Sequence, residues 1–91
     1  LDLKPKEAVI MDSMGWLKFK QGKSNEALIL LRAAYEVQAE NEIASHIVEV
    51  LWVLGERKEA SAIFIEALKK APKDEYLLKF QQRFPDISKP R

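Results

Sequence analysis

A chain of 91 residues with 47% hydrophobic content is enough for one domain. Its 15 basic and 14 acidic side chains leave a net charge of +1, so bulk electrostatics give no reason to expect a nucleic-acid or membrane-surface partner. The absence of cysteine excludes disulfides and thiolate chemistry, and no apolar run exceeds five residues, against the roughly 20 that a spanning helix needs.

The opening LDLKP has no initiator methionine or signal-peptide pattern and reads as the interior of a longer protein. Residues 1–5 are expected to be the last turn of a preceding repeat, because Pro5 stands 34 residues before Ala39 and Ala39 stands 33 before Pro72. A first helix is predicted over about Lys6 to Gln21, with Met11, Met14, Leu17, Lys18 and Gln21 on its inward face. Gly22 ends it, since glycine adopts the left-handed conformation cheaply. Ser24 is the expected N-cap of a second helix to about Gln38, striped by Ala27, Leu30, Leu31, Ala34 and Tyr35.

A third helix is expected from an Asn41 N-cap, with Ala44, Ile47, Val48, Leu51 and Leu54 inward, and Gly55 stops it. The fourth spans about Arg57 to Ala71, with Ala60, Ile63, Phe64, Ala67, Leu68 and Ala71 in its stripe, and Pro72 ends it. Asp74 caps a fifth helix over about Glu75 to Phe84, with Leu77, Phe80, Gln81 and Phe84 along one side. Pro85 breaks it, and residues 85–91 are expected to be a flexible tail. No alternating strand pattern competes, and the links are short enough for antiparallel neighbours.

Two of these segments repeat one phrase. Gly22 to Ala34 reads GKSNEALILLRAA, and Gly55 to Ala67 reads GERKEASAIFIEA. Gly22, Glu26, Ala27 and Ala34 return 33 residues later as Gly55, Glu59, Ala60 and Ala67. Leu30 and Leu31 return as Ile63 and Phe64. A fixed period of this length is the mark of a helical repeat array. The small alanines let helices approach, and Leu31 and Phe64 fill the space between neighbours.

In this register the chain resembles the tetratricopeptide repeat family, whose pattern is W-x2-L-G-x2-Y, then A-x3-F, then P. The first repeat offers Met11, Met14-Gly15, Lys18, Ala27, Leu31 and Ala39 at those places. The second offers Ala44, Ile47-Val48, Leu51, Ala60, Phe64 and Pro72. Lys18 replaces an aromatic residue, Ala39 replaces the proline and Val48 replaces the glycine. The resemblance implies an all-α, right-handed superhelical array of antiparallel helix pairs. Repeat 1 is expected over 6–40 and repeat 2 over 41–74, with a capping helix at 75–84. The phrases DSMGW and HIVEVLW are also similar to C-terminal repeats of Gram-negative envelope lipoproteins of this family. That similarity implies the periplasmic side of the outer membrane and an adaptor or assembly role.

No catalytic, metal or cofactor site is expected. Asp12 and Ser13 are adjacent rather than set as a catalytic pair, and no glycine-rich phosphate loop is present. His46 and Glu49 are three apart on a helix, but no second histidine and no cysteine joins them.

The resemblance instead implies a concave groove lined by the first helix of each pair. Its expected residues are Val9, Asp12, Trp16, Phe19 and Lys20, then Glu42, Ser45, Glu49, Trp52 and Val53, then Lys79 and Arg83. Trp16 lies off the expected packing stripe and is weighed as a partner anchor against a contact with Glu49, with Lys20 or with a preceding repeat; Trp52, beside Leu51, is expected nearer the core. Family members that clamp a peptide C-terminus use lysines and asparagines; here Asp12, Ser45, Trp16 and Glu49 stand at those places. A protein or peptide segment with apolar side chains and a basic residue is therefore the expected partner, with no nucleic acid and no membrane insertion by this chain. The alternative is structural: terminal repeats that cap a longer solenoid or form a homodimer through an exposed repeat face.

Overall fold

The computed structural model describes residues 5–88, so of the expected remnant at residues 1–5 only Pro5, which begins α1, is described, and the end of the expected tail lies outside the described residues. The described chain is all-helical: α1 (Pro5–Lys20), α2 (Ser24–Val37), α3 (Asn41–Val53), α4 (Arg57–Lys70), α5 (Glu75–Arg83), then a 3-10 turn at Pro85–Ser88. Short links reverse the chain after each helix, so α1 packs on α2 and α3 on α4. α3 also packs on α2 and on α5. The odd helices form one layer and the even helices the other, within an extent of 36 × 28 × 19 Å.

The two glycines of the repeated phrase end α1 and α3 in the same way. Gly22 has φ 81° and Gly55 has φ 87°, a region where a Cβ would be strained. Lys23 N donates to the Lys18 carbonyl at 2.9 Å and Gly22 N to the Phe19 carbonyl at 3.0 Å. Glu56 to Leu51 at 2.9 Å and Gly55 to Trp52 at 3.1 Å repeat the arrangement. Both are Schellman motifs, which satisfy helix-end carbonyls while turning the chain back.

The N-termini differ from expectation. Lys23, not Ser24, precedes α2, and Glu40, not Asn41, precedes α3; neither makes a side-chain cap. Asn41 instead starts α3 and sends its Nδ2 to Asp74 Oδ2 at 3.2 Å. Asp74 caps α5, its Oδ1 accepting from the Leu77 N–H at 3.2 Å. One carboxylate thus caps a helix and ties the start of one helix pair to the next element.

The core runs between the layers. Ala27, Leu31 and Ala34 of α2 and Ala60, Phe64 and Ala67 of α4 are buried, the repeated alanines facing inward as expected. An aromatic chain closes the far end: Phe64 to Phe80 at 6.0 Å, Phe80 to Phe84 at 4.9 Å and Phe84 to Trp52 at 5.9 Å between ring centroids. Ile87 is fully buried against this end, in the 3-10 turn that packs on α4 and α5. The expected loose tail therefore does not begin at residue 85: an apolar side chain here has a core to enter.

The largest departure is in α1. Its buried line is Ala8, Asp12 and Gly15, flanked by half-buried Met11 and Phe19. The expected inward residues Met14 and Leu17 are 49% and 58% exposed, as is Ile10 at 54%. Their counterparts 33 residues on, Ile43, Ile47 and Val50, are 2%, 3% and 0% exposed. α3 is covered on this side by the first helix pair, and α1 has nothing there among the described residues. Gly15 marks the tight side of α1: a Cβ there would meet Leu31 Cγ at 2.9 Å and the Ala27 carbonyl at 3.2 Å. Glycine is needed to let α1 lie this close to α2.

Candidate functional site

The odd helices share one surface, and a cleft of ≈ 190 Å³ opens on it. α1 contributes Trp16, α3 contributes Ser45, His46 and Glu49, and α5 contributes Tyr76, Lys79, Phe80 and Arg83. The 33–34-residue step generates this lining: 34 residues take Ser45 to Lys79, His46 to Phe80, and Glu49 to Arg83. Equivalent side chains of successive odd helices therefore stand side by side.

Trp16 forms one wall and is half-buried. Its ring stacks on His46, centroids 4.1 Å apart and planes 20° from parallel. Phe19 tilts against it at 5.1 Å, and Lys20 Nζ stands 5.4 Å from its centroid. These contacts fix the indole before any partner arrives, so little side-chain entropy remains to be lost on binding. Tyr76 is the exposed aromatic on the opposite wall.

The polar groups are paired across helices. Arg83 Nη1 donates to Glu49 Oε1 at 3.1 Å, joining α5 to α3. His46 Nδ1 lies 2.8 Å from Asp12 Oδ1, joining α3 to α1. Ser45 Oγ donates to the Glu42 carbonyl at 2.7 Å, and Lys79 pairs with Glu75 at 3.3 Å on the exposed side of α5. No buried side-chain nitrogen or oxygen among the described residues lacks a partner.

The expected groove residues divide. Trp16, Ser45, Glu49, Lys79 and Arg83 line the cleft together. Lys20 and Phe19 act on it through Trp16. Val9 and Val53 are exposed, on α1 and at the end of α3, Glu42 is half-buried in the first turn of α3, and none of the three lines it. Asp12 is buried in the α1–α3 seam rather than offered to a ligand, because His46 draws it in. Trp52 is buried as well, held between Phe84 and the Arg57 guanidinium, which stands 4.3 Å from its ring centroid.

Sequence reasoning missed Tyr76 and Phe80 as lining residues, and took His46 as a surface or groove histidine without placing it among them. Carrying the 34-residue step from Glu42 and His46 into α5 reaches Tyr76 and Phe80 directly. His46 and Glu49, three apart on α3, turn to separate partners. Glu49 goes to Arg83, and Asp12, Glu42 and His46 gather instead, with one ligand atom from each within 4.8 Å of the others. A second and larger hollow, ≈ 500 Å³, lies on the other side between α2, α3 and α4, walled by Tyr35, Ile47, Ile63 and Ala67 and rimmed by Arg32, Glu66 and Lys70.

Comparison with known proteins agrees with the paired helices and their period. TPR repeat-containing protein PA4667 of Pseudomonas aeruginosa is 40% identical to this chain over 47 residues. Over that stretch the chain is similar to a tetratricopeptide repeat protein. The matched stretch is 52% of this chain and 8% of the relative, so the array corresponds to a small part of that protein's length. No family model matches the chain, and no solved structure does. Tetratricopeptide arrays are in general protein-interaction modules rather than catalysts, and no described helix here is long and apolar enough to cross a membrane.

Proposed function

We propose that the array is a non-catalytic scaffold whose odd-helix cleft holds a segment of a partner protein. The observation that carries this reading is the convergence of Trp16, Tyr76 and Phe80 with the Glu49–Arg83 pair on one surface built from three successive odd helices. Fixed aromatic walls beside a few oriented polar groups are the usual make-up of a side-chain pocket. The cleft is small, so it suits one or two apolar side chains of an extended or helical segment rather than a whole domain face. Asp12 is engaged by His46 and Glu49 by Arg83, which leaves Glu42 as the carboxylate of this surface with no ion-pair partner among the described residues. Selection of binders from a displayed peptide library tests the reading. Selected peptides should lose binding to Trp16→Ala and Tyr76→Ala chains that keep their helical circular dichroism, and retain it for Ile29→Ala, on the exposed side of α2. Binding that ignores both cleft substitutions refutes it.

The second reading is structural. The apolar line Ile10, Met14 and Leu17 copies the positions by which α3 receives the first helix pair, and it supports a repeat-to-repeat or self-association surface at this end. Concentration-dependent sedimentation that Met14→Asp abolishes is its expected signature.

A further inference from the structure

The polar cluster in the α1–α3 seam is more than the cleft needs. Glu42 and His46 are four residues apart, so one turn of α3 sets them on the same face. Asp12 meets them from α1, and the three ligand atoms fall within 4.8 Å of one another. The Asp12 and His46 side chains are only 11% and 17% exposed. Trp16, stacked on the imidazole, fixes the ring plane.

The charges in this seam do not balance. Among the described residues, Asp12 has His46 as its ion-pair partner, and Glu42 has no lysine, arginine or histidine within ion-pair distance. Two carboxylates at this spacing repel, and one imidazole offsets at most one of them, and only when protonated. A divalent cation offsets both.

We propose that Asp12, Glu42 and His46 form a binding site for a divalent transition-metal ion, with zinc the best fit. One imidazole nitrogen and two carboxylate oxygens are a donor set that zinc accepts, and the imidazole disfavours magnesium and calcium. Bonds of about 2.0–2.2 Å place the ligand atoms of a tetrahedral zinc about 3.3–3.5 Å apart. Asp12 and His46, hydrogen-bonded at 2.8 Å, separate by about 0.5 Å to admit the ion and give up that hydrogen bond, its proton leaving the liganding nitrogen. The closing movement therefore falls to Glu42, whose half-exposed side chain is free to rotate inward. Three protein ligands leave a fourth position for water. The ion sits where α1 meets α3, so it staples the first helix pair to the second.

The metal-free 91-residue chain titrated with a zinc salt tests this directly. One equivalent should bind, and zinc in 100-fold excess over its Kd should raise Tm by roughly 10 °C or more. His46 is the chain's one histidine, so its imidazole resonances report the site without ambiguity and should shift with zinc. Glu42→Gln, a half-exposed isosteric change, should keep the helical spectrum and weaken zinc binding about tenfold or more. His46→Gln should abolish it, and magnesium at the same concentration should change neither Tm nor the imidazole signals. Zinc that leaves Tm and the imidazole unmoved overturns the site. So does a zinc effect that survives Glu42→Gln, or one that magnesium reproduces.

Discussion

The two odd helices α1 and α3 carry the same apolar positions and meet different fates. Ile10, Met14 and Leu17 stand half-open, while Ile43, Ile47 and Val50 are sealed. The difference lies in what is adjacent: beyond its own partner α4, α3 has the first helix pair on one side and α5 on the other, whereas among the described residues α1 has neighbours on one side only. A residue's burial in a repeat array is thus set by the neighbouring repeat as much as by its own helix. A second contrast runs the other way. Gly15 lets α1 sit against Leu31, whereas Val48, its counterpart, fills the same place in the second pair.

The sharpest way to break this comparison is one substitution made twice. Ile47→Asp buries a charge with no partner and should cost about 4 kcal/mol or more, close to the whole stability of a domain this size. Met14→Asp, at the matching place on α1, should change stability by no more than about 0.5 kcal/mol. Urea denaturation of both variants reads the difference, and equal losses would mean that the α1 face is covered in solution. Gly15→Ala comes next. It pushes a methyl into Leu31 and should cost about 1–3 kcal/mol, seen as a lower midpoint in thermal unfolding. Asp74→Ala removes the α5 cap and the tie to Asn41, for about 1 kcal/mol. Arg83→Ala should cost least, under about 1 kcal/mol, since its side chain is 59% exposed, and salt should shrink the loss further.

Much of the fold was legible because the packing residues obey a period. Ala27, Ala34, Ala60, Ala67, Leu31 and Phe64 announced their partners through spacing alone, and Gly22 and Gly55 announced the turns. The α1 face was misread because helical periodicity marks an apolar stripe but not whether a neighbour exists to cover it. The resemblance put both Asp12 and Trp52 along the groove; Asp12 instead found an internal partner in His46, while Trp52, expected nearer the core, is buried between Phe84 and Arg57. Ile87 was lost among prolines, since a lone apolar residue after a helix shows no periodicity. The polar contacts carried the period too. Asp12–His46, Asn41–Asp74 and Glu49–Arg83 are separated by 34, 33 and 34 residues. Reading that step for polar residues as well as apolar ones would have exposed the seam.

The central claim is that the odd-helix surface receives the partner. Amide chemical-shift mapping of the isotope-labelled chain with a library-selected peptide tests it most directly. The account predicts that the largest shifts fall on Trp16, His46, Glu49, Tyr76 and Phe80. Shifts centred on Tyr35, Ile63 and Glu66, or on Ile10, Met14 and Leu17, would contradict it.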